Sequence, residues 1–442
     1  MGSLYKILAK ILANRLRSVI GSVISDSQSA FIKGRQILDG ILVANELVDE
    51  AHRHKKELLL FKVDFAKAYD SIEWGFLQEV MLKMEFPTLW RKWIKECTET
   101  ATASVLVNGS PTDEFSLGRG LQQGDPLSPF LFLLVAEGFH VLMQSLSVNN
   151  LFHGYQVGTS EQVVVSHLQF ADDTLILGEK SWANIRGMRA TLLLFESLSG
   201  LKVNFSKSQL TGINIHASWL SEATMVLNCK VGFVPFVYLG MPIGGNPRRL
   251  AFWEPLLYRL KSRLSSWNSK HLSLGGRLVL LKSVLSSLPV YALSFFKAPS
   301  GIISSIESIL NCFFLGGSED LRKITWVDWN TVCSSKEVGG LGVRSIREFN
   351  VALLGKWCWQ LLVDRESLWF RVLAARYGEL DGRLRDGGSH ASMWWREVQV
   401  LCWEEWFSDT VGRAVGNGVD TLFWTDVWIG EVSLSVRFPN FN

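Results

Sequence analysis

Two adjacent carboxylates, Asp172 and Asp173, stand between apolar, β-branched runs in Val163-Val-Val-Ser-His-Leu-Gln-Phe-Ala-Asp-Asp-Thr-Leu-Ile-Leu177. The pattern predicts strand, tight turn, strand, with both acids at the turn. An acid pair held at the tip of a buried hairpin is destabilising unless a cation neutralises it, and a divalent metal ion is the simplest neutraliser. A third acid, Asp64, ends another apolar run, Glu57-Leu-Leu-Leu-Phe-Lys-Val-Asp64. If the two strands pair in one sheet, all three acids reach one edge of it, where two bridged metal ions could support phosphoryl transfer. Asp is also common in ordinary solvated turns, so the pair carries this argument only together with its surroundings.

The rest of the composition permits such a site without demanding it. A chain of 442 residues with 48% hydrophobic and 20% charged residues is globular, with room for two or three domains. The net charge is only +3, so binding to phosphates has to come from local basic clusters. Six scattered cysteines form no Cys-x-x-Cys pair, which argues against structural zinc and for a reduced, intracellular setting. The longest apolar run, Leu127 to Met143, is interrupted by Glu137 and His140, so it is expected as a buried helix rather than a membrane span, and no membrane partner is expected. No signal peptide opens the chain and no targeting signal is visible.

Helical periodicity is expected over 4–20, with Lys6, Lys10, Arg15 and Arg17 on the outer face, and over 36–55, after the basic turn Lys33-Gly34-Arg35. Further helices are expected at 73–84, 130–146 and 182–199. Asn108-Gly109 is a hairpin signal between Ala103–Val107 and Phe115–Leu117. Leu201–Phe205 and Leu210–Ile213 look like short strands, and Phe236–Gly245 like a strand and turn. From about 250 the pattern turns helical, with Arg259, Lys261, Arg263, Lys270, Arg277 and Lys282 on one side. That stripe is either a solvated face or a clamp on a nucleic-acid backbone. Eleven of the 18 tryptophans lie beyond 320, among them Trp326, Trp329, Trp357, Trp394 and Trp395, and most must be core. A boundary is expected near Gly316-Gly317. Asp70 reads as a helix N-cap completed by Glu73, and His167 as a packed histidine. The Gly/Pro-rich loop from Gly118 to Pro129 is not a Walker A motif; it could lay backbone against a base pair, with Gln123 reaching a nucleotide.

The order of these signals resembles a known family. Lys62-Val-Asp-Phe-Ala-Lys-Ala-Tyr-Asp-Ser-Ile-Glu-Trp74, Gly120-Leu-Gln-Gln-Gly-Asp-Pro-Leu-Ser-Pro-Phe-Leu-Phe132, Phe170-Ala-Asp-Asp173, Gly200-Leu-Lys-Val-Asn-Phe-Ser-Lys-Ser208 and Tyr238-Leu-Gly-Met-Pro-Ile-Gly244 are similar to the successive motifs of reverse transcriptases. The variant resembles that of non-LTR (LINE-type) retrotransposons of plants, and so does the tail: Leu274-Gly-Gly-Arg277, Trp326-Val-Asp-Trp329, Gly339-Gly-Leu-Gly-Val-Arg344 and Trp357-Cys-Trp359.

The resemblance implies an α+β right-hand polymerase: partial fingers over 1–60, palm over 61–245, helical thumb over 246–317, then a mostly helical Trp-rich region over 318–442. It implies RNA-directed DNA synthesis from an RNA template, a DNA primer and dNTPs, with Mg²⁺ (or Mn²⁺) and no clear protein partner. Asp64 and Asp172 would hold the metal ions with the Phe65 carbonyl, and Asp173 would complete the triad. Tyr69 would lie under the incoming sugar and clash with a 2′-hydroxyl. Gln123 and Gly124 would touch the nucleotide and template base, Arg35 the triphosphate, and Lys207 the pyrophosphate. Tyr238, Leu239 and Gly240 would grip the primer. The family's usual arginine is replaced by Gln122. Relatives carry an endonuclease before the polymerase and often a terminal domain after it, so the resemblance reads this chain as truncated at both ends. Residence in the nucleus follows from integration at chromosomal DNA. Two other readings use the same residues: a remnant that binds nucleic acid without catalysis, and a group II intron-type maturase, which the Trp-rich tail fits less well.

Overall fold

The computed structural model describes residues 3–158, 162–266, 272–316, 327–380 and 383–403, with short stretches at 406–407, 423–424, 428–429 and 432–438. Lys270, Gly317 and Trp326 lie outside them, so the expected boundary at Gly316-Gly317 falls at the edge of the described chain. The chain divides into two units, 1–244 with 367–376, and 245–366 with 377–442.

The first unit is built on a five-stranded sheet whose centre is Leu58–Val63. Five of its six residues are buried, as expected for a strand covered on both faces. It pairs antiparallel with Asp173–Gly178 on one side and with Gln209–Ile213 on the other. His167–Phe170 extends one edge, and Lys230–Gly232 extends the other through a parallel pair. The helix Ser128–Val148 packs on this sheet with Phe132, Leu133, Leu134, Val135 and Phe139 fully buried. It is apolar and long enough to cross a membrane, but its buried residues belong to the core of this unit.

The expected helices form as Ser3–Val23, Ile37–His54, Trp74–Lys83, Ser128–Val148 and Trp182–Ser199. Ile37–His54 begins with a capping box in which the Gln36 backbone donates to Asp39 at 2.7 Å. Asp70 is not an N-cap: it lies inside the short helix Ala68–Ser71, and Glu73 stands at the cap of Trp74–Lys83 without a side-chain bond. Leu201–Phe205 is not a strand but touches the sheet through one bridge, Phe65 to Val203.

Ile37–His54 also buries charge. Glu46 is fully buried and pairs with the buried Arg376 at 2.6 Å, and Arg376 bonds Asp49 as well. Arg376 comes from Leu368–Tyr377, so a helix late in the chain completes the first unit. The second unit is helical. Its aromatic core stacks Phe295 on Trp394 at 5.7 Å, with Trp357 edge-on to Trp394 at 5.2 Å, consistent with tryptophans serving as core. His167 is buried, as expected.

Candidate active site

The sheet register assembles the acids. Val63 pairs with Thr174 in an antiparallel ladder, so one step further brings Asp64 level with Asp173. Phe170 pairs with Asp173, which leaves Ala171 and Asp172 as a two-residue turn. Asp64 is fixed by its own backbone: its N–H donates to the Ser208 hydroxyl at 3.0 Å, and its carbonyl accepts from Asn204 N–H at 2.7 Å. The segment that carries Lys207 is thereby tied to Asp64. Lys207 N–H in turn donates to the Asn204 carbonyl at 3.1 Å and leaves its side chain exposed.

Asp173 meets solvent, yet the protein crowded around its carboxyl and the charges of Asp172 and Asp64 push its pKa up, against the pull of Lys62. Lys62 spans to the Val237 carbonyl at 2.9 Å, so the hairpin of Phe236–Tyr238 and Met241–Ile243 is tethered beside the acids. Tyr238 in that hairpin is buried, whereas Gly240 is exposed. What the hairpin can present to a partner is therefore the turn at Leu239-Gly240, not the tyrosine ring.

Tyr69 lies flat on Phe132, with ring centroids 4.9 Å apart and planes 18° apart. Burial and then the Asp172 charge push its hydroxyl up to about 12, so it stays neutral and faces the acid site. The Gly-rich loop is stitched to the same segment. Leu121 N–H donates to the Tyr69 carbonyl at 2.7 Å, and Trp74 Nε1 donates to the Gly120 carbonyl at 2.7 Å. Gly120 has φ +94° and a Cβ there would sit 2.8 Å from the Asp70 carbonyl oxygen, so only glycine lets the loop approach so closely. Gln123 and Gly124 project from it, exposed.

Arg35 is placed differently from expectation. Its guanidinium donates to the carbonyls of Ile24, Ser25 and Gln28 and pairs with Asp26 at 3.5 Å. Those bonds hold the loop 24–28 and leave no free fork for a triphosphate. Sequence reasoning missed Gln28 of that loop, whose side chain bonds Ala171 in the acid turn. It also missed a basic, aromatic-lined cavity of about 510 Å³ bounded by Lys10, Arg17, Phe31, Lys33 and Phe130.

Among the described residues no three His, Cys, Asp or Glu side chains converge on one metal position. Mg²⁺ rarely asks for that. It is held by one or two carboxylates, with waters and substrate phosphates completing the octahedron. The crowded acids around Asp173 fit such a partly protein-built site.

Residues 1–243 match the family described as "Reverse transcriptase (RNA-dependent DNA polymerase)". The chain belongs to this family. The resemblance read from the order of the motifs is thereby borne out. This reverse transcriptase-family chain is 38% identical over 180 residues to a putative ribonuclease H protein of Arabidopsis thaliana, covering 39% of this chain and 28% of that relative. It is 25% identical over 346 residues to an uncharacterized 149 kDa protein of transposon TX1 of Xenopus laevis, covering 78% and 25%. A Pol polyprotein from a type-2 retrotransposable element of Drosophila melanogaster is 28% identical over 206 residues, covering 47% and 18%. The chain thus spans between 18% and 28% of the length of these curated relatives.

Proposed function

We propose that this protein is an RNA-directed DNA polymerase that adds dNTPs to a DNA primer on an RNA template. The observation that carries this reading is the register that sets Asp64 level with Asp173 beside the Ala171-Asp172 turn, with Tyr69 facing the same acids. In the terms of a right-hand polymerase, 1–60 contributes fingers, 61–245 the palm, 246–317 the thumb, and 318–442 a Trp-rich region whose Trp357 and Trp394 share an aromatic core with Phe295 of the thumb segment.

Asp64 and Asp172 would hold Mg²⁺, with the Phe65 carbonyl and Asp173 in support. When bound there, the metal supplies charge neutralisation for the triphosphate and favours deprotonation of the attacking hydroxyl. The protein's own residues do the positioning. The Tyr69 ring, held flat by Phe132, would occupy the space of a ribose 2′-hydroxyl and so select deoxynucleotides. Gln123 and Gly124 would meet the nucleotide and the template base. The exposed Lys207 ammonium, tied through its backbone to Asp64, would give a proton to the departing pyrophosphate. The Leu239-Gly240 turn would rest against the primer end. Lys10, Arg17 and Lys33 around Phe31 would neutralise the template backbone and stack a base. Arg259, Lys261 and Arg263, all exposed on Leu250–Ser266, would do the same for the duplex. Arg277 and Lys282 are half-buried and fit that role less well.

The test is extension of oligo(dT) on poly(rA) with Mg²⁺ and with Mn²⁺, beside Asp172→Ala. Extension that disappears in the variant supports the polymerase and the metal role of Asp172. Folded protein that binds primer–template and extends nothing supports a nucleic-acid-binding remnant.

A further inference from the structure

The turn that carries Asp172 is locally poor. Its first position, Ala171, has φ +54°, where a two-residue hairpin turn of this kind takes glycine, and a Cβ-bearing residue is strained there. Ala171 is also buried, so water cannot satisfy its backbone. Both of its backbone groups are bonded by a single side chain. Gln28 Oε1 accepts from Ala171 N–H at 2.9 Å, and Gln28 Nε2 donates to the Ala171 carbonyl at 3.4 Å. The same Oε1 accepts from Ala30 N–H at 3.0 Å. Gln28 is 1% exposed, so these bonds face no competition from solvent.

The support behind Gln28 is rigid. Residues 27–29 run parallel to the strand His167–Phe170, with Gln169 N–H donating to the Ser27 carbonyl at 2.7 Å and Ser29 N–H donating to the Gln169 carbonyl at 3.0 Å. Arg35 cages the carbonyls of the loop, and Ser25 donates to Glu137 from its backbone at 3.1 Å and its hydroxyl at 3.0 Å.

We propose that Gln28 is a positioning residue: its buried amide fixes the backbone of Ala171, and with it the direction in which Asp172 presents its carboxylate to a divalent ion. The role of that ion rests on the polymerase reading. The bland competitor is a glutamine that only satisfies its own buried amide. The two differ in what they predict for metal affinity at matched stability.

The experiment compares the full chain with Gln28→Met, which keeps length and removes every hydrogen bond, and with Leu134→Ala, a core change in the same unit that lowers the Tm without touching the turn. Mn²⁺ binding is read by electron paramagnetic resonance of the free ion, and the Mg²⁺ requirement by extension of oligo(dT) on poly(rA). Gln28→Met is expected to raise the Mn²⁺ Kd and the half-saturating Mg²⁺ by about 10-fold or more, the size of effect seen when groups behind a metal ligand are lost. Primer–template Kd should stay within about two-fold, because the duplex surface is untouched. Leu134→Ala should leave Mn²⁺ affinity unchanged. Unaltered metal affinity in Gln28→Met, or an equal shift in Leu134→Ala, overturns the proposal. If the unsubstituted protein binds Mn²⁺ but extends nothing, the polymerase reading fails, and the Mn²⁺ comparison still decides for or against Gln28. If the unsubstituted protein binds no Mn²⁺, Gln28 has no metal site to position and the proposal falls.

Discussion

Two of the first unit's hairpins that turn on two residues stand in contrast, because only one of this pair closes unaided. Asn108-Gly109 joins Leu106–Val107 to Ser110–Pro111, with φ +50° and +84° at the two turn residues. Asn and Gly accept those angles at little strain, and the hairpin stands exposed from Ser104 to Leu117. Ala171-Asp172 joins two buried strands with a residue type that resists its own φ, and a glutamine from far away in sequence holds it. Good turn chemistry makes a hairpin independent; poor turn chemistry makes it answer to its neighbours, and here the dependent turn bears the acid.

The contrast can be broken or sharpened in four ways. The largest effect belongs to the acids. Asp172→Asn should reduce nucleotide incorporation by more than about 100-fold, beyond the 10–100-fold expected for groups behind a metal ligand. Its Tm should hold or rise as like charges are relieved. Asp113→Asn in the exposed hairpin should change neither rate nor Tm. Next comes the ion pair under the helix that backs the acid hairpin. Arg376→Met removes the partner of buried Glu46 and should cost about 3–5 kcal/mol in chemical denaturation. Arg119→Met beside the exposed hairpin breaks a solvated contact to Glu73 and should cost less than about 1 kcal/mol.

Acid should separate the two hairpins as well. Burial and the nearby His140 lower the pKa of His167 to about 3, while an unfolded histidine titrates near about 6.5. The unfolded chain therefore binds a proton that the folded chain refuses. Stability from this group is complete above about 6.5 and falls toward pH 3, with a slope of up to about 1.4 kcal/mol per pH unit. A urea series across that window should show the loss, and His167→Leu should flatten it. The smallest effects are in the turns. Gly109→Ala should destabilise by about 1 kcal/mol through its positive φ. Ala171→Gly should leave stability within about 1 kcal/mol, relieved strain offsetting added chain entropy. Thermal unfolding of the two variants checks both.

The sequence made legible what short-range chemistry determines. The apolar runs ending at Asp64 and flanking Asp172 predicted strands that do pair, and the turn residues Asn108-Gly109 predicted the exposed hairpin. Thr88–Glu99 went unread although Leu89, Trp90, Trp93, Ile94 and Cys97 recur at helical spacing, and of its residues only Ile94 and Thr98 are buried. Asp70 looked like a cap because its spacing to Glu73 fits a capping box, but the chain starts the helix later. The triphosphate role of Arg35 came from the family resemblance, whereas carbonyls brought to it by folding decide where it points. The acid site was half visible. Its ligand candidates lie in recognisable runs, but Gln28 meets Ala171 across 143 positions and Arg376 meets Glu46 across 330. No local pattern encodes contacts at that range.

The late helix has a consequence for how the protein is made. The first unit contains 1–244 and 367–376, so a ribosome delivers nearly all of it and then synthesises 245–366 before the closing helix emerges. Until then Glu46 lacks Arg376, and the nascent unit must leave that carboxyl in contact with water. Release of the stretch that matches the family, residues 1–243, would therefore yield an unfinished fold. Any recombination that trims the tail past Arg376 removes a core ion pair along with it.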